Sequence, residues 1–155
     1  MSQQQLQNAM DKNIKRSSNP TPTHISTSAK VVSVHDGDTC DLVISRNNSL
    51  ERFKCRLAAI DTPELKTGDK AKKARDFLAW LSTGGDPARF SSSSQPWSDT
   101  QLQNTLDANK VLLHAEFQST DMYGRALVVL KKTSQAKDSL NDILIQYGYA
   151  KRYNK

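Results

Sequence analysis

The chain has 155 residues, about one ordinary domain, and hydrophobic residues make up 36% of it. Lys and Arg number 22 against 16 Asp and Glu, and the net charge of +6 favours polyanionic partners without specifying which one. Two cysteines are too few for a disulfide framework or a cysteine zinc site, and no apolar run approaches the ~18 residues that a membrane-spanning helix needs.

Residues 1–30 are rich in Gln, Asn, Ser and Thr and contain no Phe, Tyr, Trp or Val. This composition predicts a flexible N-terminal arm. Leu6, Met10 and Ile14 are spaced four residues apart, so a short amphipathic helix docked on the domain is the alternative. Because no basic segment is followed by an apolar stretch, we expect no secretory signal and a soluble, cytoplasmic protein.

Alternating apolar and polar residues predict three strands in the next part of the chain, at 30–34, 40–44 and 53–57. The acidic bend Asp36-Gly37-Asp38-Thr39 separates the first two strands, and the turn signal Asn47-Asn48 separates the second from the third. The last two strands therefore form a hairpin. Its register places Cys40 opposite Cys55 in the core, where both are expected as reduced thiols.

Apolar spacing predicts a helix at 70–82, which Gly84-Gly85 ends. A polar stretch follows, with a short helix at 100–108 that Asp99 would cap. The remaining elements are two strands, at 111–117 and 126–131, and a helix from Ser139 to Gly148. Five strands with an inserted helix suit an α+β, mainly β fold, in which a closed five-stranded barrel of the oligonucleotide-binding (OB) type carries two or three helices.

Asp38 and Asp61 each follow a predicted strand. Carboxylates at the ends of neighbouring strands can converge on one hard cation such as calcium, which prefers oxygen ligands. Taken alone, Asp-Gly-Asp-Thr is more typical of an ordinary turn.

Arg56 and Arg125 offer planar guanidinium groups, which bind phosphate oxygens in pairs. Glu64 lies three residues after Asp61 and could act as a general base beside a bound cation. Each of the three is, by itself, also typical of a solvated surface residue.

These segments together resemble the staphylococcal nuclease (thermonuclease) family. The resemblance extends from about Val31 to Tyr153 and is carried by four segments, at 34–39, 56–64, 121–125 and 140–150. Of these, Arg56-Leu57-Ala58-Ala59-Ile60-Asp61-Thr62-Pro63-Glu64 is the most specific.

The resemblance implies one OB-type domain over residues 31–155. It implies calcium as the cofactor, with Asp38, Asp61 and the carbonyl of Thr62 as ligands.

The same resemblance implies that Arg56 and Arg125 contact the scissile phosphate, that Glu64 activates water and that Tyr123 lines the nucleotide pocket. The implied function is a calcium-dependent nuclease of DNA and RNA that leaves 3′-phosphate ends. We expect a monomer without membrane contact.

The chain departs from the family pattern in several places. Residues 84–108 form an insertion, Met122 stands where the family more often has Lys or Arg, and only Tyr153 weakly matches the family's base-stacking tyrosines. The chain also ends before the expected position of the family's terminal helix, so another segment is expected to substitute for it.

Lys72 and Lys73 lie on the helix that follows Glu64, and we predict that they bind the substrate backbone. The competing interpretation is a solvated helix face. Two other functions stay open: a catalytically silent nucleic-acid-binding module, and a protein-interaction domain that uses residues 1–30.

Overall fold

The computed structural model describes residues 2–91 and 95–153. Residues 92–94 of the predicted insertion, and residues 154–155 of the predicted domain, lie outside this described part. The strands are β1 (Ile25–Asp36), β2 (Thr39–Arg46), β3 (Ser49–Leu57), β4 (Ile60–Asp61), β5 (Leu113–Thr120), β6 (Ala126–Lys131) and β7 (Lys151–Arg152). The α-helices are α1 (Gln3–Gln7), α2 (Asp69–Ser82), α3 (Asp99–Asp107) and α4 (Leu140–Gln146).

Five of the strands close into a barrel in the order β1-β2-β3-β6-β5. The β3–β6 pair is parallel and the other pairs are antiparallel. The barrel follows from the period of two in its strands, which turns every second side chain inward. In β6, for example, Ala126, Val128 and Leu130 are buried in the core. The predicted mainly β, OB-type α+β fold is confirmed.

The β2–β3 hairpin has the predicted register. Asn47 and Asn48 both have positive φ, 53° and 63°, as a two-residue hairpin turn of type I′ requires. Cys40 therefore pairs with Cys55, and both are free, fully buried thiols. Burial raises the pKa of both thiols, so neither is reactive at neutral pH.

Helices α2 and α4 cover the barrel. Buried side chains of α2, among them Phe77, Leu78 and Leu81, belong to the main core. Helix α4 begins with the predicted capping box, in which the Ser139 hydroxyl accepts from the backbone N–H of Asp142 at 3.0 Å. No helix in the described part of the chain is long and apolar enough to cross a membrane.

The predicted insertion is folded onto the domain. Helix α3 lies within it and is capped by the Ser98 hydroxyl, which accepts from the N–H of Gln101 at 3.0 Å, so the expected Asp99 cap is wrong. Leu102 and Leu106 of α3 belong to the main core. The insertion thereby adds apolar cover to the barrel.

Residues 2–24 lie against the outside of β1, β2 and β3, which differs from the flexible arm that composition favours. Leu6 and Ala9 form a second buried cluster with Val32 and Val43, whose side chains face away from the barrel interior. The docked alternative is the closer description, although α1 ends at Gln7, before Met10. Burial of its few apolar side chains on the outer face favours docking of this segment, although most of its residues are polar.

Candidate active site

The bend between β1 and β2 brings two carboxylates together. The N–H of Asp38 donates to Oδ1 of Asp36 at 3.1 Å, which fixes the turn. Position 37 requires glycine because neighbouring side chains lie close to its backbone. A Cβ here would lie 2.8 Å from Cβ of Ala74 and 2.9 Å from Cγ2 of Thr62. The bend is therefore packed tightly between α2 and the segment that follows β4.

Asp38 connects the bend to that segment. Its Oδ2 accepts from the N–H of Thr62 at 3.0 Å and lies 2.9 Å from Nη1 of Arg56. Its Oδ1 accepts from the hydroxyl of Thr39 at 3.1 Å. Asp38 is buried, so this carboxylate is held in one orientation by both neighbouring elements.

Arg56 lies between the two predicted metal-ligand carboxylates. Its Nη2 donates to the carbonyl of Ile60 at 3.1 Å and lies 3.3 Å from Oδ1 of Asp61. Its Nη1 is buried and, despite its proximity to Asp38, makes no aligned hydrogen bond within the described residues. The Arg56 guanidinium is therefore held in one place by the carboxylates on either side of it.

Asp61 is positioned by a strained turn and a short strand pair. Ala59 adopts a positive φ of 66°, which costs energy for a residue with a side chain. Its carbonyl accepts from the N–H of Tyr153 at 2.8 Å, and Asp61 pairs with Lys151 across β4 and β7. These contacts hold the turn, and the Asp61 side chain projects into solvent, 59% exposed.

The carboxyls of Asp36 and Asp38 titrate as a pair. Burial, followed by the hydrogen bond to Asp38 and its charge, raises the pKa of Asp36 to about 6. Burial acts in the same direction on Asp38, but the hydrogen bond with Asp36, the Arg56 charge and the Thr62 N–H outweigh it and lower the pKa of Asp38. The environment therefore favours the charged form of Asp38 over that of Asp36.

Arg125 follows the loop between β5 and β6, which Asp121 organises. Oδ1 of Asp121 accepts from the N–H groups of Tyr123 and Arg125, both at 2.9 Å, and Oδ2 accepts from Nε of Arg125 at 2.7 Å. Burial would raise the pKa of Asp121, but these donors lower it. The Arg125 guanidinium also lies over the Tyr123 ring, 5.4 Å from its centre.

A cleft of about 810 Å³ opens on the outer side of β6, between the 58–61 turn and the β5–β6 loop. Three of the predicted site residues line it: Arg56, Arg125 and Tyr123. Leu127 and Val129 contribute apolar surface. The cleft thus combines guanidinium groups, those of Arg56, Arg125 and Arg152, with an apolar floor, an arrangement suited to an anionic ligand with a flat apolar part.

The structure does not bring every predicted residue to the cleft. Glu64 is exposed, and its carboxylate lies 3.3 Å from Nζ of Lys66. Lys72 and Lys73 lie on α2 and do not line the cleft. The roles predicted for Glu64, Lys72 and Lys73 therefore rest on their positions in the sequence, and no contact with the cleft arginines supports them.

Asn141 is a positioning residue that sequence reasoning missed. Its buried amide donates to the carbonyls of Ala58 at 2.9 Å and Val128 at 3.2 Å, and it accepts from the N–H of Leu130 at 3.2 Å. It ties α4 to β6 and to the turn after Arg56. The signal in the sequence was an Asn among the apolar residues at the start of a helix.

The donor set at the bend would suit a hard divalent cation. Two carboxylates contact the same guanidinium, and the hydroxyl of Thr62 is buried without a hydrogen-bond partner in the described residues. All of these donors are oxygens, as calcium prefers. The described residues contain no group of three or more acidic, His or Cys side chains that could hold a metal ion, so backbone or water oxygens would have to complete the coordination.

The fold and site define the class as a small OB-type barrel whose strand ends carry carboxylates and guanidinium groups beside a cleft. The family model of staphylococcal nuclease homologues matches residues 54–155, well over half of the chain, and the protein belongs to this family. The match includes Arg56, Asp61, Glu64 and Arg125 but begins after Asp38. No curated protein matches the chain at a significant level.

Proposed function

We propose that the protein is a calcium-dependent nuclease that hydrolyses phosphodiester bonds of DNA and RNA and leaves 3′-phosphate ends. The observation that carries this proposal is the placement of Arg56, which contacts both Asp38 and Asp61 and lines the same cleft as Arg125. Membership of the family supports a nuclease-like domain at a coarser level.

The two arginines would bind the scissile phosphate. Phosphoryl transfer needs charge stabilisation and positioning more than covalent chemistry from the protein. Arg56 is held by Ile60 and two carboxylates, and Arg125 by Asp121, so both guanidinium groups are oriented before a substrate arrives. Preorganised donors of this kind stabilise the charge that develops on the phosphate oxygens.

Asp38, Asp61 and the carbonyl of Thr62 would hold the calcium ion. Bound there, the ion supplies neutralisation of phosphate charge and Lewis acidity. Glu64 would accept a proton from the attacking water as its oxygen bonds to phosphorus. The bond from phosphorus to the 5′ oxygen then breaks, and that oxygen takes a proton from solvent and leaves as a hydroxyl. Its exposed ion pair with Lys66 is weak and leaves the carboxylate available.

The test is cleavage of plasmid DNA and of a labelled single strand, with calcium and with excess chelator. We expect cleavage only with calcium, and we expect Asp61→Ala to lose calcium binding and activity together. Asp86→Ala, which removes an exposed carboxylate from the segment after α2, serves as the control and should cleave as wild type does. Full cleavage in chelator would exclude calcium, whereas binding of nucleic acid without any cleavage would identify a silent binding module.

A further inference from the structure

The cleft extends beyond the two arginines along the outer face of β6. Leu127 and Val129 point outward there, because the inward positions of the strand belong to Ala126, Val128 and Leu130. Leu127 is the register partner of Arg56 on the parallel strand β3. The apolar surface therefore begins directly beside the proposed phosphate site and continues away from it.

The acidic side chains that line the cleft are already occupied. Glu116 lies 3.1 Å from Nζ of Lys131, and Asp121 lies 2.7 Å from Nε of Arg125. Asp142 accepts from the N–H of Ser139 at 3.2 Å in the capping box of α4. Two of these carboxylates are thus neutralised by cations of the cleft, and the third is oriented by the backbone at the start of α4.

Two cations of the cleft have no ion-pair partner within residues 2–91 and 95–153. They are Lys137, in the segment between β6 and α4, and Arg152, in β7, and both are exposed. The elements that carry or follow them are both joined to the 58–61 turn, which bounds one edge of the cleft. Arg152 pairs with Ile60 in the turn after β3, and Lys137 precedes α4, where Asn141 bonds Ala58 of the same turn.

The opposite edge is formed by the β5–β6 loop and is apolar at its tip. Met122 and Tyr123 are strongly exposed there, 72% and 77%. One edge of the cleft thus offers unpaired positive charge, and the floor and the other edge offer apolar and aromatic surface. Single-stranded nucleic acid has the complementary asymmetry, since its backbone is anionic and its unpaired bases expose flat apolar faces.

We propose that Lys137 and Arg152 form a second phosphate subsite, which holds a neighbouring phosphate of a single-stranded substrate while Arg56 and Arg125 hold the scissile one. The bases then lie on the apolar floor and on Met122 and Tyr123. A cleft of about 810 Å³ is of the size that proteins use for ligands of a few rings, so unpaired nucleotides enter it and an intact duplex does not. The proposal rests on the proposed function for the nature of the ligand.

The experiment measures binding of fluorescent oligonucleotides to the full chain, with calcium present and Glu64→Gln in every variant to slow cleavage. The probes are a single-stranded hexanucleotide and a dinucleotide that carries one phosphate. The test variant is Lys137→Gln/Arg152→Gln. The matched control is Lys12→Gln/Lys15→Gln, which removes the same charge from the segment that covers the other side of the barrel.

For the hexanucleotide we expect the test variant to bind more weakly than its parent. Its log–log salt dependence should flatten by about 0.7, because the subsite holds one phosphate and each phosphate that a protein neutralises on a single strand adds about 0.7 to the slope. Dinucleotide binding should be unchanged, because its one phosphate occupies the Arg56–Arg125 site. The charge-retaining pair Lys137→Arg/Arg152→Lys should recover the wild-type slope. This recovery separates removal of charge from a failure to fold.

Equal effects of the test and control variants would overturn the subsite, because only net charge would then matter. An unchanged salt slope in Lys137→Gln/Arg152→Gln would also overturn the subsite. So would a slope that flattens only in Lys72→Gln/Lys73→Gln, because the oligonucleotide backbone would then lie on α2. Failure of the parent protein to bind either probe would refute both the subsite and the proposed function. Salt-dependent binding through Lys137 and Arg152 without cleavage by wild type would refute only the nuclease activity.

Discussion

The barrel has two outer faces that carry similar side chains, apolar residues and arginines, but only one of these faces is covered by another segment. On β1, β2 and β3, outward-facing side chains such as Val32, Val43 and Arg52 are buried under residues 2–24. On β6 and the end of β3, outward-facing Leu127 and Arg56 line an open cleft. We call these the covered face and the open face.

Charges on the covered face are satisfied within the protein. Asp41 is fully buried and accepts from Arg52 at 2.7 Å, from Arg16 at 2.9 Å and from His35 at 2.9 Å. Burial would raise the pKa of Asp41, but these partners hold it well below its usual range. Lys30 is also fully buried, and its ammonium group donates to the carbonyls of Gln7 and Ala9.

Cations of the open face, in contrast, include two without ion-pair partners among the described residues, Lys137 and Arg152. Strand alternation decides only which side chains point outward. The segment that lies over them decides whether they become part of the core or remain available to a ligand. Charged groups on the covered face are thus paired within the protein, whereas two on the open face remain accessible to a ligand.

The largest effect expected on the covered face comes from removing its apolar anchor. Leu6→Ala should lower the free energy of unfolding by about 2–4 kcal/mol, because Leu6 is buried against the outer side chains of β1 and β2. Activity per folded molecule should not change. Urea unfolding measures the loss, with Gln4→Ala on the exposed side of α1 as the control. Equal stability of the two variants would show that residues 2–24 are not docked in solution.

Asn141 connects the core to the open face, so its replacement should affect both stability and turnover. Asn141→Ala leaves the buried carbonyl of Ala58 without this donor and should cost about 1–3 kcal/mol of stability. Because the same turn positions Arg56 and Asp61, turnover per folded molecule should fall as well. Chemical unfolding and single-turnover cleavage measure the two effects. A loss of stability with normal turnover would reduce Asn141 to a purely structural role.

The smallest loss of stability is expected from replacing Glu51, at the edge of the covered face. Its hydrogen bond from Arg46, and then those from Asn19 and Ser17, lower the pKa of Glu51 to about 2. A depressed carboxyl pKa contributes stability that is present above the ordinary value near 4.5 and is lost as the pH falls toward 2. Glu51→Gln should therefore cost about 1–2 kcal/mol at pH 7, and less at pH 3. A difference in stability that does not shrink in acid would contradict this assignment.

Much of the barrel could be predicted because its determinants are local. Alternation placed the strands, and the Asn47-Asn48 turn set the Cys40–Cys55 register. The docking of residues 2–24 could not be predicted, because it depends on contacts between distant parts of the chain, such as Arg52 with Asp11 and Lys30 with Gln7. The low hydrophobicity of this segment concealed the few apolar side chains that anchor it.

The candidate site was predictable to a similar extent. The positions of Asp38 and Asp61 at strand ends led us to expect that they lie near each other, and the structure places both against Arg56. Lys137 was not predicted as part of the site, since only the fold brings it to the cleft that Arg152 also lines. Sequence reasoning selected Lys72 and Lys73 instead, because they directly follow the motif along the chain.

The most direct test compares Arg52→Lys with Arg56→Lys, since both arginines face outward on β3 and only Arg56 lies in the cleft. Each change keeps the charge and loses the planar fork. Single-turnover cleavage of a labelled single strand with calcium, normalised to the folded fraction, should fall on the order of 100-fold or more for Arg56→Lys. Arg52→Lys should lose stability and keep wild-type turnover. Wild-type turnover by Arg56→Lys, or equal losses in both variants, would contradict the assignment of catalysis to the open face.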